Sequence, residues 1–237
     1  MEKIKDKRVL ITGASGSIGR QTALQLAASG AHLFLSGRNR ERLMETAQLA
    51  RVPEERCFVL DLDHTIGIGK MGQTIHETGP LDILINAAGI GIIKPMEQLS
   101  VEEFSKTLSI NLVAPFLLMK TFLPAMKEAK KGLIIQIPGV LGKTPMAGAA
   151  AYAASKYGLN GMMKSLREEI KRTDIRITQL FLGGVDSPFW DTIDLRVQRD
   201  KMIIAEEVGK TIWFLCQQPA SAVVSEMVLQ PFNHQAI

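Results

Sequence analysis

The feature that most constrains the fold of this chain is an end-to-end alternation of short apolar runs with longer amphipathic segments. Apolar runs of Val, Ile and Leu suit strands that are covered on both faces, and helical spacing of apolar residues indicates helices between them. Short links between strand and helix favour right-handed crossovers. We therefore predict an α/β fold, a doubly wound parallel sheet of about seven strands with helices on both faces. The predicted strands are residues 9–11, 33–35, 58–60, 81–85, 133–137, 175–181 and 223–229, and the predicted helices are 18–29, 40–51, a segment ending near 75, 101–130 in one or two pieces, 152–172 and 205–217.

Length and charge narrow the possible partners. The 237 residues contain no repeat and no linker, so one domain over residues 1–237 is expected. The chain has 28 basic and 24 acidic side chains, a net charge of +4, and the basic residues are scattered. Nucleic acid is therefore not an expected partner.

Cysteine and histidine placement gives no reason to expect a metal site. Cys57 and Cys216 stand far apart in apolar surroundings, which predicts buried free thiols in a reducing compartment. The histidines show no ligand pair at helical spacing; they are His32, His64, His76 and His234.

Neither a signal peptide nor a membrane span is expected. The first eight residues alternate in charge and lack an apolar core. Lys120, Pro124 and Pro138 interrupt the longest apolar stretches before membrane-spanning length. We expect a cytoplasmic protein without a membrane partner.

A glycine-rich turn follows the first predicted strand and opens the first predicted helix. It reads Thr12-Gly13-Ala14-Ser15-Gly16-Ser17-Ile18-Gly19. Glycines permit the tight turn and the close approach of backbone to a pyrophosphate, whose charge a helix N-terminus stabilises. The predicted phosphate contacts are Gly13, Ser15, Gly16, Ser17, Ile18 and Gly19.

A tyrosine and a lysine form the strongest chemical pattern. Tyr152 and Lys156 are four residues apart and share one face of a predicted helix, whereas the other tyrosine, Tyr157, has Gly161 at that spacing. At about 4 Å and an effective dielectric of about 20, an ammonium attracts a phenolate by about 4 kcal/mol. We therefore expect Lys156 to lower the pKa of Tyr152 and make it a general acid/base.

In this order along the chain, these motifs resemble those of the short-chain dehydrogenase/reductases, and the resemblance runs from Arg8 to about Pro231. Gly13 and Gly19 fit the family's Thr-Gly-x-x-x-Gly-x-Gly, while Ser17 stands where its middle glycine is expected. The resemblance implies a Rossmann-type fold and hydride transfer between a nicotinamide and a carbonyl/alcohol substrate. It also implies a homo-oligomer, a dimer or a tetramer.

The same resemblance assigns roles to the catalytic residues. Tyr152 would be the general acid/base, and Lys156 would tune it and hold the nicotinamide ribose. Asn111 would anchor a water behind the lysine in a proton relay; the alternative is a helix kink or a buried amide.

For the cofactor, NADP(H) is expected and NAD(H) is less favoured. No acid follows the second strand before Glu41, and the guanidinium of Arg38 suits a 2′-phosphate, although it could also be a solvated loop residue. Asp61, beside Leu62, would accept a hydrogen bond from the adenine amino group or would cap the next helix. The further contacts that the resemblance implies are Asn86, Ala87, Gly89, Gly183, Val185 and Ser187, of which Asn86 is also expected to tie strands together.

One departure from the family concerns the reaction itself. The family's serine, thirteen residues before the tyrosine, is Gly139 here. Thr144, Ser155 or a water could supply the missing hydroxyl, and a Gly139→Ser variant is expected to keep or raise turnover. The alternative hypothesis is a catalytically impaired nucleotide-binding protein, a sensor or structural subunit. An isomerase or dehydratase on this fold is a third possibility.

An apolar segment after the sixth strand is the candidate substrate lid, at about residues 186–204. Phe189, Trp190, Ile193 and Leu195 make it suitable to cover a hydrophobic substrate. Core packing is the alternative explanation.

Overall fold

The computed structural model describes residues 2–219 and 221–232. Its strands are β1 (Arg8–Thr12), β2 (His32–Gly37), β3 (Cys57–Val59), β4 (Ile83–Asn86), β5 (Lys131–Gln136), β6 (Asp174–Leu182), β7 (Val185–Asp186), β8 (Ile203–Ile204) and β9 (Glu226–Leu229). Its α-helices are α1 (Ser17–Ala28), α2 (Arg40–Leu49), α3 (Thr65–Glu77), α4 (Val101–Leu108), α5 (Ala114–Glu128), α6 (Ala150–Ile170) and α7 (Ala205–Leu215).

Seven strands form one parallel sheet in the order β3-β2-β1-β4-β5-β6-β9. The predicted doubly wound α/β fold is confirmed. The chain changes direction across the sheet between β1 and β4, which creates a crevice at the carboxyl ends of these strands. The last strand begins at Glu226 rather than at residue 223, because its pairing with β6 starts where Glu226 meets Gln179.

Two apolar layers explain why the strands read as continuous apolar runs. Successive side chains of a strand point to opposite faces. In β1, Val9 and Ile11 pack on the face covered by α1, α2 and α7, whereas Leu10 packs on the face covered by α3, α5 and α6. A strand buried on both faces needs apolar residues at every position.

The region predicted as helix 101–130 is helical from Val101 to Glu128, with a π-helical turn over Ser109–Val113. Pro124 lies inside α5, and the expectation that Lys120 and Pro124 keep the apolar stretch short of membrane-spanning length is wrong for this helix. By length and composition this helix could cross a membrane, a criterion that the core helix of a globular domain also meets. In this structure its Leu118 and Phe122 are buried among core side chains.

Both cysteines are free thiols. Cys216 is buried as predicted, whereas Cys57 is only partly buried. Burial raises the pKa of Cys216 to about 12 and that of Cys57 to about 11, so neither thiol is reactive near neutral pH. Among residues 2–219 and 221–232, no three His, Cys, Asp or Glu side chains are grouped to hold a metal ion; His234 lies outside these ranges.

Candidate active site

The predicted site residues lie along the carboxyl edge of the parallel sheet and on the helices beside it. The glycine turn follows β1, Arg38 follows β2, and Asp61 follows β3. Tyr152 and Lys156 lie in the first two turns of α6, beside the ends of β4 and β5. One cavity is lined by eight of the predicted residues: Ile18, Ala87, Gly89, Tyr152, Lys156, Gly183, Val185 and Ser187.

The glycine turn is crowded by its own backbone. A Cβ added at Gly13, whose φ is +71°, would lie 2.8 Å from the backbone of Ala88. A Cβ added at Gly19 would overlap the carbonyl oxygen of Gly13 and lie 2.8 Å from the Cα of Ala14. Gly16 is the N-cap of α1, and within the described part of the chain no side chain caps this helix. The N–H groups of its first turn, from Ser17 onward, therefore remain available to an anion.

Arg38 and its neighbours have different surroundings. Asn39 caps α2 by accepting a hydrogen bond from the Arg42 backbone, and Arg40 pairs with Glu54 at 2.7 Å. Arg38 is exposed, and no residue in the described ranges forms a hydrogen bond or ion pair with its guanidinium.

Asp61 lies in the loop between β3 and α3. Its carboxylate accepts a hydrogen bond from the backbone of Asp63 at 3.2 Å, and α3 begins at Thr65 with His64 as its N-cap. The alternative that Asp61 caps the helix is therefore wrong. Leu62, beside it, is buried.

Tyr152 and Lys156 face the same cavity. The Lys156 Nζ lies 5.3 Å from the centre of the Tyr152 ring and donates a hydrogen bond to the Ile137 carbonyl at 3.3 Å. Burial raises the pKa of Tyr152 to about 12 and lowers that of Lys156 to about 8. The expected lowering of the tyrosine pKa is wrong here, because burial removes the phenol from water and disfavours its charged form. At neutral pH Tyr152 therefore keeps its proton and Lys156 is largely charged.

Asn111 is a buried amide in the π-helical turn between α4 and α5. Its Oδ1 accepts from the Ile90 N–H, and its Nδ2 donates to the Ile90 carbonyl, each at 2.9 Å. The same Nδ2 donates to Ser155 Oγ at 3.1 Å. This geometry matches the alternative interpretation of Asn111 as a buried amide at a helix irregularity. The water relay stays a prediction.

Two predicted substitutes for the family serine do not reach the cavity. The Ser155 hydroxyl donates to the Tyr152 carbonyl at 2.7 Å and accepts from Asn111, so it faces Asn111 rather than the cavity. Thr144 is exposed and lies outside the cavity lining. Neither residue therefore supplies the missing hydroxyl in this structure, because neither lines the cavity that contains Tyr152.

Gly139 lies beside the tyrosine but adopts a backbone conformation that serine avoids. A Cβ built on it would lie 3.6 Å from both the Tyr152 hydroxyl and the Leu182 carbonyl, so there is space for a side chain. Its φ of +70° and ψ of 164° fall in a region that is essentially limited to glycine. The expectation that Gly139→Ser keeps or raises turnover stays a prediction, and the torsion adds a cost in stability to that substitution.

The segment after β6 is held by its own contacts. The Val185 carbonyl accepts from the Trp190 indole N–H at 3.0 Å and from Ser187 Oγ at 3.3 Å. β7 pairs with β8 at the base of the segment, and Arg199 binds Asp186 at 2.6 Å and a second carboxylate, Asp191, at 2.7 Å.

The candidate lid residues divide between cavity and core. Phe189 and Trp190 line the cavity, Ile193 is buried, and Leu195 is 41% exposed. Core packing therefore accounts for Ile193, and the lid role of the segment stays a prediction.

Asn86 is buried within the sheet rather than on the cavity surface. Its Nδ2 donates to Gln136 Oε1 at 2.8 Å, which joins β4 to β5 as expected.

Four of the apolar wall residues that sequence reasoning missed lie in the segments between strands and helices. They are Ile93, Val140, Leu141 and Met146. No sequence signal marks them, because an apolar residue in a loop has the same appearance whether it packs in the core or lines a cavity.

The sequence is similar to known proteins along most of its length. A profile of the short chain dehydrogenase family matches residues 7–197. An uncharacterized oxidoreductase of Staphylococcus epidermidis is 29% identical over 98% of this chain and all of its own length. A 3-oxoacyl-[acyl-carrier-protein] reductase of Rickettsia felis is 30% identical, with 96% of each chain covered. A crystal structure of a metagenomic short-chain oxidoreductase in complex with NADP is 29% identical with a TM-score of 0.84, covering 97% of this chain and 99% of that one.

Proposed function

We propose, since this chain belongs to the short chain dehydrogenase family, that it transfers a hydride between NADP(H) and a carbonyl/alcohol substrate, with Tyr152 as the general acid/base. The observation that carries the proposal is the cavity that Tyr152 and Lys156 share with the ends of β4 and β6. A nicotinamide cofactor, when bound, would supply or accept the hydride.

The residues present fit a phosphorylated dinucleotide. The backbone of the glycine turn leaves no room for a Cβ at Gly13 or Gly19, and the uncapped first turn of α1 suits a pyrophosphate. Arg38 would hold the 2′-phosphate, because its guanidinium is exposed and forms no ion pair within the described ranges. The metagenomic relative with NADP supports the same choice.

Tyr152 would donate its proton to the substrate oxygen as negative charge develops there. Its raised pKa keeps the phenol protonated at neutral pH, which suits reduction. Lys156, with a pKa lowered to about 8, would place a positive charge beside the phenol as its proton leaves. Its hydrogen bond to the Ile137 carbonyl orients the ammonium.

The competing candidate is a nucleotide-binding protein without turnover, and Gly139 is the observation that favours it. A hydrogen-bond donor aimed at a developing charge contributes about 10²–10³ in rate where it has been measured. Gly139 supplies no side-chain donor beside Tyr152. The two candidates differ in turnover and share the cofactor.

The test is NADPH oxidation across a panel of ketones and aldehydes, with Tyr152→Phe and Tyr157→Phe compared. Tyr157 lies on the same helix and is 44% exposed, so it is a matched control. We expect Tyr152→Phe to lower kcat by about 10²–10⁴-fold while NADPH binding is retained, and Tyr157→Phe to be active. Full activity of Tyr152→Phe would refute the assignment. NADPH binding without turnover on any carbonyl would favour the competing candidate.

We further propose a homo-oligomer, a dimer or tetramer, formed through the region of α5 and α6. Val113, Phe116 and Tyr157 are each more than 40% exposed there. Exposed apolar groups of this kind mark protein interfaces. Light scattering of the purified protein would test it, and a monomer at micromolar concentration would exclude it.

A further inference from the structure

The cavity beyond the Tyr152 hydroxyl has apolar walls. Val140, Leu141 and Met146 come from the segment after β5, and Ile93 comes from the loop after β4. Phe189 and Trp190 line the cavity from the segment after β6. Among the described lining residues, Tyr152 and Lys156 are the titratable ones, and the Lys156 ammonium already donates to a backbone carbonyl.

The Phe189 ring packs directly against Gly91 in the loop after β4. A Cβ built at Gly91 would overlap the end of the Phe189 ring, with the ring Cε2 at 2.6 Å. The ring lies 5.3 Å from that of Trp190 in an edge-to-face arrangement, and 5.9 Å from that of Tyr152. Trp190 is itself tied to the Val185 carbonyl. The Phe189 ring is therefore a preformed wall beside the proton donor.

From this arrangement we infer that the enzyme selects uncharged carbonyl compounds that carry an aryl-sized apolar group, and that Phe189, seated over Gly91, is a specificity-determining residue. This inference rests on the proposed function. A carboxylate next to the reacting carbonyl would lose its solvation between apolar walls, without a further cation among the described lining residues to compensate. An apolar group of the same size loses nothing and gains contact with the Phe189 and Trp190 rings.

The first test compares two ketones that share a phenyl group. Acetophenone carries a methyl group where benzoylformate carries a carboxylate. We expect kcat/KM with NADPH to be at least about 100-fold higher for acetophenone, since an uncompensated charge is rejected more strongly than a methylene. Equal or higher kcat/KM for benzoylformate would overturn the inference and leave the proposed function intact. Failure with every carbonyl in the wider panel would remove the proposed function and the inference with it.

The second test examines the contact between the Phe189 ring and Gly91. Phe189→Ala removes the wall, and Gly91→Ala displaces the ring, while the backbone at Gly91 has no left-handed φ that alanine would strain. Each change should lower kcat/KM for acetophenone by about 10–100-fold. In the Phe189→Ala background, Gly91→Ala should have no further effect, since the ring that it displaces is gone.

Gly69→Ala is the matched control, because a Cβ at Gly69 on α3 meets nothing within 4 Å. It should retain the kcat/KM of the unaltered protein. If the losses from Gly91→Ala and Phe189→Ala simply add in the double variant, Gly91 acts on the fold rather than through Phe189. That result, or an unchanged kcat/KM in Phe189→Ala, would overturn the role assigned to Phe189.

Discussion

The glycine turn after β1 and the segment after β5 lie on the same edge of the sheet, yet they depend on glycine in different ways. A Cβ at Gly19 would lie 2.7 Å from the Gly13 carbonyl carbon, so the turn has no space for a side chain. A Cβ at Gly139 would meet its nearest neighbours at 3.6 Å, so space is present and the φ of +70° is the obstacle. The glycine turn, which is the cofactor end of the site, depends on close packing of backbone. The segment after β5, which is its catalytic end, depends on a backbone torsion that only glycine adopts readily.

Lys156 carries a cost in stability at the catalytic end. Its ammonium is buried and its pKa is lowered to about 8, which means that the folded state disfavours the charge. Buried charges persist in folded proteins where the rest of the structure compensates for them, and groups with shifted pKa values cluster at functional sites. The comparison predicts that substitutions at the cofactor end remove binding, whereas some at the catalytic end remove activity and increase stability.

The largest effect is expected at Gly19. Gly19→Ala forces the turn away from α1, so NADPH affinity should fall by at least about 100-fold, as the pyrophosphate site depends on that backbone. Gly69→Ala on α3 is the control, because its Cβ would meet nothing within 4 Å. Fluorescence titration with NADPH measures both, and thermal unfolding shows whether each variant is folded. Equal affinities for the two variants would contradict the crowding argument.

Lys156→Met should abolish activity and increase stability. The lysine pKa is lowered from 10.5 to about 8, and at 1.36 kcal/mol per unit this corresponds to at most about 3 kcal/mol of unfolding free energy at pH 7. The cost is fully present below pH 8 and disappears as the pH rises toward 10.5, because the unfolded state then keeps a proton that the folded state has lost. The stability advantage of the variant should therefore shrink between pH 8 and 10.

Chemical denaturation at several pH values measures this difference. Lys164→Met is the control, since Lys164 lies on the same helix with 55% of its side chain exposed. An advantage of Lys156→Met that stays constant from pH 7 to 10 would contradict the burial argument.

Gly139→Ala and Gly139→Ser separate strain from chemistry. Both should lower the unfolding free energy by about 1–3 kcal/mol, because a residue with a Cβ is strained at the torsion angles of Gly139 or must shift the backbone away from them. Serine alone adds a hydroxyl beside the Tyr152 oxygen, so its kcat should exceed that of the alanine variant. Denaturation and steady-state kinetics measure the two effects. If neither variant is destabilised, the torsional explanation of Gly139 is wrong.

The comparison also shows where sequence reasoning succeeds. The strands were predictable because a parallel sheet covered on both faces needs apolar residues at successive positions, as Val9, Leu10 and Ile11 illustrate. The candidate site was predictable where motif order places residues at strand ends.

The remaining features depend on three-dimensional context. The torsion at Gly139 and the inward direction of the Ser155 hydroxyl are set by packing, which residue type alone does not encode. The pKa of Tyr152 was predicted with the wrong sign, because spacing reveals a nearby lysine but not how much water both groups lose.

The smallest effect is expected at Arg38, where the cofactor end uses a side chain rather than backbone. Arg38→Ala should weaken NADPH binding by about 10-fold and leave NADH binding unchanged, because it removes a charged contact with the 2′-phosphate alone. Arg40→Ala removes the same charge two residues away, where the guanidinium is already paired with Glu54, and should leave the NADPH to NADH ratio unchanged. Neither change should alter the melting temperature appreciably, since both side chains are exposed. An equal loss of NADPH and NADH affinity in Arg38→Ala would show that Arg38 supports the loop instead of the phosphate, and the cofactor end would then depend on backbone throughout.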